Sequence, residues 1–122
     1  MDRTVLDNYI TEAYGATAEY LWEKHPTFAV YRHQNNKKWF AVIMEIPKSK
    51  IGLNDDNSVN VVNLKCDQLL IGSLLLENGI HKGYHMNKNH WITVRLDGSV
   101  TDEKIKWLLD LSFDLTAKKG RK

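Results

Sequence analysis

The stretch between His81 and Trp91 holds the densest set of chemically useful side chains in the chain, with three histidines, two lysines and two asparagines. The histidines, His81, His85 and His90, first suggest a metal site, because imidazole is a common metal ligand. A structural zinc site needs a full set of nitrogen or sulfur ligands, however, and no carboxylate occurs between residues 78 and 96. We therefore favour ordinary hydrogen-bonding roles for these histidines and expect no metal and no cofactor.

Nucleophilic catalysis is the second chemistry to consider, and it centres on Cys66, the single cysteine. A cysteine and a histidine can form a catalytic dyad when the fold brings them together. Cys66 begins a predicted helix among apolar residues, where a lone thiol usually fills the core. The serines show no nucleophile-elbow pattern and the glycines form no phosphate-binding loop. We predict no catalytic residues and a protein that is not an enzyme.

Positive charge is concentrated in blocks, although the whole chain carries a net charge of only +2. Residues 24–50 contain six basic residues against Glu45, a net +5, and residues 78–96 contain three basic residues and no acid, a net +3. If these two blocks meet in space they form one basic patch, which is typical of a nucleic-acid-binding surface. The alternative is that they are solubilising surface charge.

Two predicted turns lie in these blocks, at residues 32–39 and 82–89, and each combines cations, amides and an aromatic ring. Lysine and arginine contact phosphates, whereas asparagine, glutamine and histidine are suited to bases or sugars. The candidate phosphate contacts are Arg32, Lys37, Lys38, Lys82 and Lys88, and the candidate base or sugar contacts are Asn35, His85 and Asn87.

The large rings and His90 have structural interpretations as well. Trp39 and Trp107 are expected to pack rather than to stack on bases. Trp91 lies on the strand face opposite Ile92, so it either covers the second face of the sheet or is exposed. His90 shares the face of Ile92 and is expected to be buried.

The hydrophobic periodicity predicts an α+β fold. A helix capped by Thr4 ends at Gly15, and a later helix is capped by Thr101 with acidic residues in its first turn. The element order is α-β-β-β-α-β-β-α, which favours a two-layer domain with an antiparallel sheet and helices on one face. Strands are predicted at residues 27–33, 38–45, 59–64, 80–83 and 90–96, and the middle helix at residues 67–77, with Leu69, Leu70 and Leu74 facing the sheet.

Length and composition predict one domain over residues 1–122, with residues 118–122 as a frayed basic tail. The single cysteine excludes an intramolecular disulfide and favours a reducing compartment. No apolar run approaches the roughly 20 residues that span a bilayer. We expect a cytoplasmic monomer that does not associate with membranes.

Several motifs together resemble the MmcQ/YjbR family. They include Tyr-His-Met-Asn-Lys-Asn-His-Trp-Ile-Thr-Val at residues 84–94, followed by Leu-Asp-Gly and a helix that starts with acidic residues. Others are Lys-Trp-Phe-Ala at residues 38–41, Val61 with Asn-Leu-Lys at residues 63–65, and the late Ser112-Phe113. The chain departs from the family at Gly83-Tyr84, where members often have a proline.

The resemblance implies the order α-β(3)-α-β(2)-α, a fold similar to that of type III secretion chaperones, and a "double wing" DNA-binding protein. The leading hypothesis is therefore a DNA-binding module, with double-stranded DNA as partner and the two basic turns as wings. The alternative is a chaperone-like module that binds a protein partner on its sheet face and exposes an apolar patch around Trp91 and Tyr31.

Overall fold

The computed structural model describes residues 1–117, and the predicted tail at residues 118–122 lies outside them. The order of helices and strands is the one that the sequence predicts. The elements are α1 (Arg3–Tyr14), β1 (Ala29–Arg32), β2 (Trp39–Pro47), a short 3-10 helix (Lys48–Ile51), β3 (Ser58–Lys65), α2 (Gln68–Leu74), β4 (Ile80–Lys82), β5 (Trp91–Arg95) and α3 (Asp102–Thr116).

The five strands form one antiparallel sheet in the order β1-β2-β3-β5-β4. This order places the β1–β2 turn and the β4–β5 loop at the same end of the sheet, where β3 also ends. Because neighbouring strands lie about 4.8 Å apart, β2 and β5 are separated by roughly 10 Å across β3. The two predicted basic turns therefore share one end of the sheet.

All three helices contribute to a core on one face of the sheet, which confirms the α+β fold. Leu6 and Ile10 of α1, Ile71 and Leu74 of α2, and buried residues of α3 pack in a single cluster. The strands contribute alternate residues to this cluster, including Ile43, Val62, Leu64, Ile92 and Val94. The other face carries a second apolar cluster, built on Val30, Val42, Met44, Ile46, Val59 and Val61. No α-helix within residues 1–117 covers it, although Ile51 of the 3-10 helix packs against its edge.

The helix caps agree with the sequence prediction except at the start of α1. Asp2, rather than Thr4, caps α1, because its side chain accepts from the amide of Val5. Gly15 ends α1 in the left-handed conformation at φ 67°, where glycine carries no steric penalty. Thr101 caps α3 as predicted.

Three burial predictions are wrong. Trp107, which was expected to pack, is 45% exposed on α3. His90 is exposed and lies just outside β5, so the alternating pattern begins one residue later than predicted. Leu69 is 90% exposed, because α2 is only seven residues long and turns Ile71 and Leu74 towards the core instead. No helix within residues 1–117 is both long and apolar enough to cross a bilayer.

Ser112 joins α3 to the end of the sheet that carries the basic turns. Its hydroxyl is completely buried, accepts from the amide of Lys65 at 2.8 Å and donates to the carbonyl of Phe40 at 2.5 Å. One side chain thus satisfies backbone groups of both β3 and β2, at the points where the sheet meets the candidate site.

Ser112→Ala is expected to lower the free energy of unfolding by about 1–3 kcal/mol, because it leaves a buried amide and a buried carbonyl without a partner. Urea denaturation measures the change. Ser73→Ala, which removes an exposed helical hydroxyl, is the matched control and should change stability little. Equal effects of the two substitutions would contradict the structural role of Ser112.

Candidate nucleic-acid interface

A buried hydrogen-bond network fixes the β4–β5 loop to the face of the sheet opposite the three α-helices. Asn63 of β3 and Thr93 of β5 are directly opposed in the strand register and are almost completely buried. The Thr93 hydroxyl donates to Oδ1 of Asn63 at 2.5 Å and accepts from the amide of Tyr84 at 2.8 Å. Nδ2 of Asn63 donates to the carbonyl of Tyr84 at 2.8 Å. The network therefore holds both backbone groups of Tyr84 in place.

The loop is also braced internally. A Cβ atom on Gly83 would lie 2.8 Å from the carbonyl oxygen of Trp91, so the chain can pass there only without a side chain. Nζ of Lys88 donates to the carbonyl of Gly83 at 2.9 Å, and Oδ1 of Asn87 accepts from the amide of Asn89. His85 adopts a positive φ of 58° and is exposed. These contacts give the loop a defined shape on the sheet.

Between this loop and the strand face lies a cavity of about 320 Å³, which we call the aromatic pocket. Trp22 makes edge-to-face contacts with Phe28, at 5.8 Å between ring centroids, and with Trp39, at 5.7 Å. Val42, Met44 and Asn63 form the floor on the strands. The walls are Trp22, His25, Phe28, Trp39, Tyr84, His85 and Met86.

A second depression, the basic groove, adjoins the first. It has a volume of about 410 Å³ and is lined by Lys37, Lys38, Lys65, Trp39 and Trp91, with Leu115 and Thr116 of α3. Nζ of Lys65 lies 5.6 Å from the ring centroid of Trp91, within the range of a cation–π contact. No acidic residue is among the described residues of its lining. Trp39 lines both the aromatic pocket and the basic groove.

The turn that carries Lys37 and Lys38 is firmly anchored. The amide of His33 donates to the carbonyl of Lys38 at 3.0 Å, and the amide of Lys37 donates to the carbonyl of His33 at 3.1 Å. Nδ2 of Asn36 donates to the carbonyl of Thr116 at 2.8 Å, which fastens the turn to the end of α3. The two lysines are thus exposed on an ordered support.

The predicted cations of the β4–β5 loop line a different depression. Lys82 and Lys88 surround a volume of about 410 Å³ together with Lys50 and His81. Burial lowers the pKa of His81, and its Nε2 atom has no hydrogen-bond partner among residues 1–117. The structure therefore groups Lys82 and Lys88 with Lys50, and Lys37 and Lys38 with Lys65.

Arg32 and Asn35, the two other predicted contacts, have different surroundings. Arg32 forms a two-pronged ion pair with Glu19, with nitrogen–oxygen distances of 2.8 and 2.6 Å. This pairing commits its guanidinium to a neighbouring carboxylate. Asn35 is exposed at the tip of the β1–β2 turn.

Sequence reasoning did not identify Lys65 or Trp22 as site residues, and it assigned Trp39 to packing alone. A partial signal existed for Lys65, because Val61, Asn63 and Lys65 alternate along one strand face. The position of Lys65 beside Trp91 depends on the register between β3 and β5, which a single sequence does not reveal. Trp22 lies between α1 and β1, in a segment that forms neither a helix nor a strand.

The metal-ligating and nucleophilic side chains of the described residues are not gathered at one place. Residues 1–117 contain no group of three or more histidine, cysteine or carboxylate side chains placed to hold a metal ion. Cys66 is buried, and this burial raises the pKa of its thiol. A raised pKa disfavours the reactive thiolate, so Cys66 suits core packing rather than nucleophilic attack.

The comparison with protein families bears on the whole of this surface. The YjbR family model matches residues 11–115, which include all five strands, the Asn63–Thr93–Tyr84 network, the aromatic pocket and every lining residue of the basic groove except Thr116. The chain belongs to the YjbR family. The uncharacterized protein YyaQ of Bacillus subtilis (strain 168) is 36% identical over 116 residues, covering 95% of this chain and 98% of YyaQ. The sequence resemblance is thereby confirmed.

Solved structures of similar proteins share the fold of this YjbR-family chain. A crystal structure of a Pseudomonas syringae protein superposes with a TM-score of 0.94 at 44% identity and covers 96% of this chain and 100% of its own. A solution NMR structure from Pseudomonas syringae gives a TM-score of 0.90 at 43% identity, with 100% of this chain and 98% of its own covered. A Deinococcus radiodurans protein with a DUF419 domain gives a TM-score of 0.74 at 25% identity, with 99% and 82% covered.

Thr93→Val is expected to reduce the free energy of unfolding by about 1–3 kcal/mol, because the amide of Tyr84 and Oδ1 of Asn63 both lose their buried partner. The same substitution should accelerate hydrogen exchange of the Tyr84 amide. Thr4→Val, the same substitution at an exposed helical position, is the control and should change stability little. Unchanged stability and unchanged exchange at Tyr84 would show that the network does not hold the loop.

Proposed function

We propose that this protein is a non-enzymatic DNA-binding module that contacts the phosphate backbone through the basic groove. The observation that carries the proposal is the set of Lys37, Lys38 and Lys65 around one depression whose described lining contains no acid. Lysine–phosphate contacts supply most of the sequence-independent affinity for DNA, because each one releases condensed counterions. Three lysines on one ordered surface suit this chemistry.

The ordered support strengthens the argument. Lys37 and Lys38 are exposed on a turn that is closed by backbone hydrogen bonds and tied to α3 through Asn36. Lys65 ends β3, one of the central strands of the sheet. Less conformational entropy is lost when cations bind from fixed positions than from mobile chains, so this placement favours binding.

The β4–β5 loop would provide the second wing. Lys82 ends β4 at the same end of the sheet as the basic groove, and Lys88 remains exposed although its amine donates to Gly83. His85 is exposed beside them and is placed for a sugar or base contact. Arg32 is not part of the proposed surface, since its guanidinium is paired with Glu19.

The alternative of a chaperone-like protein-binding module receives less support. It requires an exposed apolar patch around Trp91 and Tyr31, and these residues are only 8% and 1% exposed. Their burial removes the surface on which that partner would dock. The proposal takes the protein as a cytoplasmic monomer, as the sequence predicts, and a single buried thiol is compatible with a reducing compartment.

The proposal predicts salt-dependent binding to DNA that weakens when cations of the groove are removed. Replacing Lys37, Lys38 and Lys65 by glutamine, singly and together, should lower the affinity and reduce the slope of log K against log salt by about one unit per lysine. Fluorescence anisotropy with labelled DNA at several salt concentrations measures both quantities.

The matched control is Lys106→Gln, which removes the same charge from α3, where Lys106 lies 4.9 Å from the ring of Tyr9. It should leave the salt slope unchanged. An equal loss for Lys106→Gln and Lys65→Gln would mean that only the net charge matters. Absence of DNA binding at low salt would exclude the proposed function.

A further inference from the structure

We propose that the aromatic pocket receives one unpaired base of single-stranded DNA while the basic groove holds the adjoining phosphates. This inference rests on the proposed function and specifies the form of the nucleic acid. It starts from Trp39, which lines both the pocket and the groove. A base against one side of this ring would leave its sugar-phosphate chain beside Lys37, Lys38 and Lys65.

The walls of the pocket favour a flat, uncharged ring system. Trp22 stands perpendicular to Trp39, and the Tyr84 ring lies on the loop that closes the other side. The lining contains no lysine, arginine, aspartate or glutamate among the described residues. Its polar side chains are those of Asn63, Tyr84 and two histidines, His25 and His85. A phosphate would lose its hydration there without meeting the lysines that line the groove, whereas a base would gain contacts with aromatic faces.

The different linings of the two depressions therefore suit different parts of the same ligand. The base belongs in the pocket, whose described lining has no lysine or arginine, and the phosphate belongs in the groove, where lysines replace its counterions. Aromatic stacking platforms next to a cationic track are the usual means of binding single strands. A fully paired duplex keeps its bases inside the stack and could use only the groove.

The pocket is predicted to select bases with little regard to sequence. The polar groups of Asn63 in its floor already bond to Thr93 and to Tyr84. Stacking accepts any base, because every base has a π face. We therefore expect binding to depend on whether a base is present more than on which base it is.

The pocket is ordered before any ligand arrives. The Asn63–Thr93–Tyr84 network fixes the wall that the loop provides, and the contacts of Trp22 with Phe28 and Trp39 fix the opposite wall. A preformed pocket of about 320 Å³ falls at the lower end of the size range of small-ligand sites. Its occupant can therefore be one ring system rather than a peptide segment.

The test compares two strands of equal length and charge, one of thymidines and one of abasic nucleotides. The unaltered protein should bind the thymidine strand roughly 5- to 150-fold more tightly, the range expected for one stacked base. Tryptophan fluorescence should be quenched by the thymidine strand alone. Equal affinity for both strands would overturn this inference while leaving phosphate binding by the groove intact.

Two tryptophan substitutions test whether the preference for the thymidine strand arises in the aromatic pocket. Trp39→Leu should abolish most of the difference between the two strands, whereas Trp107→Leu, at a 45% exposed tryptophan of α3, should preserve it. Circular dichroism checks that Trp39→Leu is folded. If it is not, the comparison of the two strands on the unaltered protein still tests the inference. A full preference in folded Trp39→Leu would contradict the inference. Failure of both strands to bind at low salt would refute the inference, and a duplex of equal length measured in parallel would decide whether the proposed function fails with it.

Discussion

The hydrogen bonds among Asn63, Thr93 and the backbone of Tyr84 determine the shape of the sheet face opposite the three α-helices. Two buried polar side chains in an apolar strand face would destabilise the fold unless each found a partner. Here the two side chains bond to each other and to the backbone of Tyr84. These hydrogen bonds offset the cost of burying the polar groups, and they also fix the loop to the sheet. Without that connection Tyr84, His85 and Met86 would not form a wall, and the aromatic pocket would be an open strand face.

Trp39 links this pocket to the charges at the end of the sheet. It begins β2 directly after Lys37 and Lys38, so the chain itself places a large ring beside two cations. The antiparallel register adds Lys65 and Trp91 from the neighbouring strands. The result is an aromatic depression next to a cationic one, and this arrangement suits a ligand with flat rings on a charged backbone.

The order of elements and most of the core could be predicted from the sequence, because apolar residues recur at helical or alternating spacing and local caps mark the helix ends. His90 and Leu69 show where this reasoning fails. Alternation cannot tell at which residue a strand begins, and a helical pattern over 11 positions does not reveal that only seven, Gln68–Leu74, form the helix. Both errors lie at the ends of elements, where local signals are weakest.

The site was less predictable than the fold, because its composition depends on contacts between distant residues. Glu19 reaches Arg32 because its backbone pairs with Val30 outside the named strands, in a segment without a clear sequence pattern. Lys65 joins Lys37 and Lys38 only through the strand register. The sequence identified the two basic turns, whereas the grouping of lysines and the aromatic pocket required the structure.

Backbone amide and indole NMR signals followed during titration with single-stranded DNA would test the account most directly, because each contact is reported separately. We predict progressive shifts at the amides of Lys37, Lys38 and Lys65 and at the indole groups of Trp22 and Trp39, with the indole of Trp107 unchanged. Shifts confined to the helices, or an unchanged spectrum at low salt, would contradict the conclusion that this end of the sheet binds nucleic acid.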